Sequence, residues 1–279
     1  MRFHVRDRLS RAGKDGFAND DALGQSRSLA FVLDGATGVG DGPLMPSHFG
    51  SDAAWLSHGA ARFFSQCDAD EAPLSNIVRD CASALAGEFA ALRLRMPKGG
   101  YEMPYASMML VRPAADHIAY AAFGDCRMLV LHHDGRLSDI GPPPRHREAE
   151  AARAKAFDAA NKGPMDALPE LRRLRNLVNT LDAYWLMAAD PAVADHVHPG
   201  RVELDGPADV LLMTDGFHAL SADYGAYDDA GLVAAARAQG LGALYGELRA
   251  IERADPRGEK FPRFKPSDDA TAMLIAAGG

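Results

Sequence analysis

Residues 105–132, YASMMLVRPAADHIAYAAFGDCRMLVLH, decide the fold. Three apolar runs lie within or across them: Tyr105 to Val111, Ile118 to Phe123 and Arg127 to His132. Turn signals at Arg112-Pro113 and Gly124-Asp125 separate the runs, and Asp134-Gly135 closes the last. Strands in such close succession pair antiparallel, because a parallel pair needs a long crossover between its members.

The flanking sequence extends this pattern. Residues up to about Gly35 read as two strands around a polar turn. Gly50 to Gln66 reads as a helix with Ser51 as N-cap and Ala54, Trp55, His58, Ala61 and Phe64 on one face. A second helix runs from about Ser75 to Arg95, with Ile77, Cys81, Leu85, Phe89 and Leu92 spaced for burial, and Pro97-Lys98-Gly99-Gly100 ends it. A polar, Arg- and Ala-rich insert from Pro142 to about Asn179 reads as helical, broken at Gly163-Pro164. Strand signals return at Tyr184 to Met187 and Val210 to Met213. A long helix follows at about Asp228 to Arg253, interrupted near Gly240, and Thr271 to Ala276 forms a final strand. Clustered helices and clustered antiparallel strands mean α+β. No repeat or low-complexity linker divides the 279 residues, so the expectation is one domain, 1–279, with an insert at about 142–179.

Composition narrows the function. A hydrophobic content of 47% supports a sizeable core, and a net charge of −8 without any Lys/Arg-rich block argues against binding nucleic acid. Cys67, Cys81 and Cys126 are scattered, which fits neither a disulfide framework nor a thiolate zinc site. The first eight residues are charged, and no window approaches the roughly 20 apolar residues of a membrane span. The reading is a soluble, cytoplasmic protein that engages neither nucleic acid nor membrane.

The aspartates point to the chemistry. Asp34-Gly35, Asp125, Asp215-Gly216 and Asp268-Asp269 each lie at the end of, or beside, a strand-like run. Carboxylates delivered by rigid strands, far apart in sequence, build an all-oxygen pocket for hard divalent cations such as Mg²⁺ or Mn²⁺. The chain reads as a metal-assisted hydrolase acting on a phosphoryl group.

Five motifs, in order, resemble those of the metal-dependent (PPM, type 2C) serine/threonine protein phosphatases. They are Asn19-Asp20-Asp21-Ala22, Phe31-Val32-Leu33-Asp34-Gly35-Ala36-Thr37-Gly38, Ala122-Phe123-Gly124-Asp125-Cys126-Arg127, Leu211-Leu212-Met213-Thr214-Asp215-Gly216 and Ser267-Asp268-Asp269-Ala270-Thr271-Ala272. The resemblance covers nearly the whole chain. It implies a β-sandwich of two antiparallel sheets flanked by helices, in α-β-β-α layers, with a binuclear Mn²⁺/Mg²⁺ centre at one end. Asp34 would bridge both ions and the Gly35 carbonyl would bind one. Asp215 and Asp268 would complete the other shell, while Asp20 and Asp21 would act through metal-bound waters. Asp125 would sit nearby, where some members hold a third ion. The implied reaction is hydrolysis of phosphoserine and phosphothreonine in a phosphorylated protein, by water and without a covalent intermediate.

Some positions depart from the family pattern. Many members carry a phosphate-gripping arginine four residues before the first acidic residue; here that position is Gly16, and Lys14 or Arg11 is expected to stand in, Lys14 first. Asp20 replaces the usual glutamate, and Ala36 stands where eukaryotic members carry a histidine. Alignment on Thr271 puts Asp268 rather than Asp269 at the metal position. Cys126 and Trp55 read as packing, His132-His133 as a strand end, His196 and His198 as surface histidines in a loop, and the arginines from Arg145 to Arg175 as a solvated helical face. Two other readings remain: a catalytically weak regulatory binding module, and a phosphatase of small phosphorylated metabolites with the insert as lid.

Overall fold

The computed structural model describes residues 2–68, 71–141, 164–180, 184–263 and 265–278. Among these residues, ten strands form two antiparallel sheets. The first contains β2 (Ala22–Gln25), β3 (Ala30–Gly35), β4 (Ala106–Pro113), β5 (His117–Phe123) and β8 (His198–Glu203), in the order β2-β3-β4-β5-β8. The second contains β1 (Phe3–Arg11), β6 (Arg127–His132), β7 (Leu137–Ile140), β9 (Ala208–Met213) and β10 (Ala270–Ala277), in the order β1-β10-β9-β6-β7.

The central strands are apolar on both faces because both faces are covered. In β3, Phe31 and Leu33 pack outward, while Ala30 and Val32 face the other sheet. β9 does the same with Leu211 and Met213 outward and Val210 and Leu212 between the sheets. The outer layer on the first sheet is α1 (Asp52–Ser65) and α2 (Leu74–Leu92), whose Trp55, Phe64, Ile77, Cys81 and Phe89 join Phe31 and Leu33 in one cluster. On the second sheet lie α4 (Asp215–Ala222), α5 (Asp229–Gln239) and α6 (Leu241–Ala254), contributing Phe217, Leu232, Leu244 and Leu248. The expected α-β-β-α sandwich is therefore present.

Ser51 caps α1 as expected, accepting the Ala54 amide at 2.8 Å. The expected helical faces need adjusting: His58 is exposed, Ala61 half-buried and Leu92 exposed. The segment before Gly35 holds three strands, not two, because the polar turn contains the short β2. Residues 184–187 form only an isolated bridge, between Met187 and Ala106. The long C-terminal helix is two helices, broken at Gly240, whose φ of 84° lies in the left-handed region. His198 belongs to β8, an edge strand paired with β5, rather than to a loop. Of the expected insert, residues 142–163 lie outside the described residues, and Pro164–Arg175 is helix α3. It packs beside a turn at Gly100–Glu102, where the Tyr101 amide donates to Asn176 Oδ1 at 2.9 Å.

Candidate metal centre

Five strand ends and turns bring acidic side chains to one end of the sandwich. Asp34 is the penultimate residue of β3, opposite Ser107 of β4. Asp21 immediately precedes β2 and is 1% exposed, with its Oδ2 accepting the Thr214 hydroxyl at 2.9 Å. Asp125 lies in the β5–β6 turn, where Gly124 takes a φ of 68°, and its Oδ1 accepts the Ser107 hydroxyl at 2.5 Å. Asp215 opens α4, one residue (Thr214) after β9, and Asp268 lies two residues before β10.

Close backbone approach explains two of the motif glycines. A Cβ at Gly35 would run into the Asp20 carbonyl, and one at Gly216 into the Asp269 carbonyl. Asp269 fastens the segments together: its carboxylate accepts the Gly13 amide at 2.8 Å and the Asp20 amide at 2.6 Å. Of the pair, Asp268 is the one that acts on Asp34, while the charge of Asp269 acts on Asp20 and Asp21. The Asp20 side chain is engaged by Ser51, and its carbonyl accepts the Ser57 hydroxyl at 2.5 Å, so it is turned toward the start of α1.

The electrostatics show a strongly frustrated cluster. Burial, and then the charges of Asp21, Asp215, Asp125 and Asp268, push the Asp34 carboxyl well above the usual carboxylate range. Burial likewise pushes Asp21 well up, opposed by the Thr214 hydroxyl and reinforced by Asp269 and Asp268. Asp20 is also raised, chiefly by burial, with the Ser51 hydrogen bond opposing. The field reaches further. Burial, then Asp125, raises the Tyr184 hydroxyl, and burial, then Asp34, raises the Cys126 thiol. Cys126 is 1% exposed and reads as packing, not as a nucleophile.

An oxygen-only donor set whose like charges destabilise one another fits hard divalent cations. Its carboxylates are spread rather than chelating. Among the described residues, three ligand atoms within 4.8 Å of one another occur at Asp116, His117 and Glu203 instead. That group lies at the outer edge of the first sheet, and its Asp116 and Glu203 are held by His117 at 2.8 Å and Arg201 at 2.7 Å. The spread suits Mg²⁺ or Mn²⁺, which keep several of their own waters.

The cations differ from the expected ones. Lys14 is exposed, with its Nζ 4.2 Å above the Phe17 ring, and Arg11 donates to the neighbouring Ser10 carbonyl. Gly16 has a φ of 80° with nothing within 4 Å of where a Cβ would be. The expectation that Lys14 or Arg11 replaces the missing arginine thus conflicts with where their side chains go. The cation that meets the acids is Lys265, 2.6 Å from Asp268 Oδ1 and 3.2 Å from Thr37 Oγ1. Its one sequence signal is its place three residues before Asp268. His196 ends a short 3-10 turn and stacks on Trp185, with ring centroids 3.4 Å apart, while His198 is exposed. His132 is buried and bonded to Ser138 at 2.9 Å.

Comparison with known proteins matches this geometry. A family model described as protein phosphatase 2C matches residues 10–239. No curated protein sequence matches the chain. Among solved structures, the serine/threonine phosphatase PstP/Ppp of Mycobacterium tuberculosis superposes with a TM-score of 0.59 at 17% identity, covering 100% of this chain and 99% of that one. PppA of Pseudomonas aeruginosa, described as a key regulatory component of T6SS, gives 0.57 at 15% identity, covering 99% and 97%. The catalytic domain of PstP solved in complex with two manganese ions gives 0.53 at 18% identity, covering 99% and 97%.

Proposed function

Since the chain belongs to the protein phosphatase 2C family and is a metal-dependent protein phosphatase, we propose that it hydrolyses phosphoserine and phosphothreonine esters in proteins at a two-cation site of Mn²⁺ or Mg²⁺. The observation that carries this reading is Asp34 surrounded by the charges of Asp21, Asp125, Asp215 and Asp268. The PstP structure with two manganese ions supports the count of two.

Asp34 and the Gly35 carbonyl would hold the ions from β3, with Asp215 and Asp268 closing the site from the second sheet. Asp20, Asp21 and Asp125 would hold the surrounding waters, Asp125 beside any third ion. When bound, the cations acidify a water and neutralise the phosphate oxygens. The chain's own contribution would be to fix the carboxylates that hold and orient this water. Thr214 holds Asp21 and Ser107 holds Asp125, so neither carboxylate is free to rotate. Asp269 keeps the first acidic motif docked on the last, as its bonds to the Gly13 and Asp20 amides require. In this reading none of these groups acts as the nucleophile, and water would attack phosphorus directly, with the alcohol leaving.

The test is turnover of p-nitrophenyl phosphate and then of phosphothreonine peptides, with Mn²⁺ and with EDTA. Asp34→Asn and Asp215→Asn should each lose at least about a thousandfold in kcat, because each removes a ligand from the ions that would generate the attacking water and offset the charge on phosphate. Near-normal turnover by either variant under saturating Mn²⁺ would exclude the ligand assignment.

A further inference from the structure

Two cations flank Thr37, two residues beyond the Gly35 carbonyl. Lys265 approaches its hydroxyl from the segment before β10, at 3.2 Å, while remaining 2.6 Å from Asp268 Oδ1. Arg175, the last residue of α3, approaches its carbonyl, with one guanidinium nitrogen 3.3 Å away. The neighbouring arginines of α3 are engaged elsewhere. Arg172 ends on Asp41 at 2.5 Å and Arg173 on Glu170 at 2.7 Å. Arg175 has no carboxylate partner among the described residues, and that bond to Thr37 is its sole hydrogen bond there.

Lys265 belongs to the rim of the acidic cluster, and Arg175 reaches that rim through Thr37. Lys265 interacts with Asp34 and Asp215 as well as Asp268, and the Arg175 guanidinium lies over the Tyr105 ring, 5.8 Å from its centroid. Burial disfavours the charge of Arg175, and a guanidinium held there is stabilised by an anion. The position that would carry an arginine in much of the family is Gly16, which offers no side chain and has a left-handed backbone. A doubly charged phosphate ester brought to the cations of the centre would still have oxygens pointing away from them, toward this rim. We propose that Lys265 and Arg175 form a two-armed clamp for those non-reacting phosphate oxygens, with Thr37 fixing the spacing of the arms. The guanidinium supplies a planar fork and the ammonium a compact charge. The proposal rests on the phosphatase reading above and assigns that site its substrate-binding cations.

The test uses the Mn²⁺-loaded protein with Lys265→Gln, Arg175→Gln and the double variant. Three quantities are read: the Mn²⁺ isotherm, the affinity for inorganic phosphate by calorimetry, and KM and kcat for a phosphothreonine peptide. Each single variant should weaken phosphate binding and raise KM about tenfold, with a smaller fall in kcat, and the double variant about a hundredfold. Arg175→Lys should recover part of the loss. Mn²⁺ binding should be retained in Arg175→Gln and tightened in Lys265→Gln, since the ammonium competes with the ion for Asp268; a merely structural role would weaken both. Unchanged phosphate affinity in variants that bind Mn²⁺ normally overturns the clamp and leaves the phosphatase reading standing. A wild-type protein that binds Mn²⁺ and phosphate but turns over no phosphopeptide overturns the phosphatase reading instead, and the variants' phosphate affinities still decide the clamp.

Discussion

Glycine does opposite things at Gly16 and at Gly35. At Gly35 the missing side chain allows the Asp20 carbonyl to approach the end of β3, which brings the first acidic motif to Asp34. At Gly16 there is open space, but the backbone has a φ of 80°. For any L-residue other than glycine this conformation costs about 1 kcal/mol or more. Restoring the family's arginine by Gly16→Arg should therefore destabilise the fold by about 1 kcal/mol, seen as a lower urea midpoint at unchanged m. KM for phosphopeptides should stay within about twofold, because the new side chain starts from a solvent-facing backbone rather than from the rim of the acids. A clear drop in KM would show that the loop turns inward when substrate binds. Lys265 was not legible in the same way. It stands next to Pro266 in a stretch without periodicity, and its importance depends on Thr37, 228 residues away, which no local pattern encodes.

Among the elements, those with a strong period or a clear cap were readable: α1 from Ser51 and its apolar stripe, β4 to β6 from their turns, and the break between α5 and α6 from Gly240. The missed ones share a physical reason. β7 and β8 are edge strands with half-exposed residues, and β8 begins His198-Pro199-Gly200, which locally favours a turn. α4 was missed because it starts without any connecting residues after Thr214, so its Asp215-Gly216 reads as a turn. Loops without a period can still be firmly held. Glu102, 5% exposed, takes Arg95 at 2.7 Å, the Lys98 amide at 2.7 Å and the Asp41 amide at 3.3 Å, tying the chain after α2 to the loop beyond β3. Arg95, then the backbone bonds against the cost of burial, hold its carboxyl down at about 2, below the ordinary 4.5. A depressed folded-state value means that this stabilisation is complete above pH 4.5 and disappears as the pH falls through about 2. Glu102→Gln should cost about 2 kcal/mol at neutral pH and flatten the fall of Tm between those limits, measured by thermal melts across the acid range. An equally steep acid fall in the variant would place the responsible carboxylates elsewhere.

Over the whole molecule, the acidic site exists only where the two sheets dock. Asp21 and Asp34 come from the ends of first-sheet strands, Asp125 lies in the β5–β6 turn that crosses between the sheets, and Asp215 and Asp268 border β9 and β10 of the second. With more carboxylates than the Lys265 ammonium balances, the cluster opposes the docking that the apolar layer of Val32, Met109, Val210 and Ile275 drives. A cation bound between them removes that repulsion, and it binds the folded chain in preference to the unfolded one. At a hundredfold excess over Kd the linkage contributes about 2.7 kcal/mol, so millimolar Mn²⁺ should raise Tm by roughly 5 °C or more, with Mg²⁺ weaker. EDTA should reverse the shift. Asp34→Asn should melt higher than the wild type in EDTA, because one of the opposing charges is gone, and should respond far less to Mn²⁺. This response also separates the centre from the exposed Asp116, His117 and Glu203 group, which lies within one sheet and does not depend on Asp34. A Mn²⁺ shift that survives intact in Asp34→Asn would assign the ion to that outer edge, and no shift in the wild type would remove the metal from the account of this fold's stability altogether.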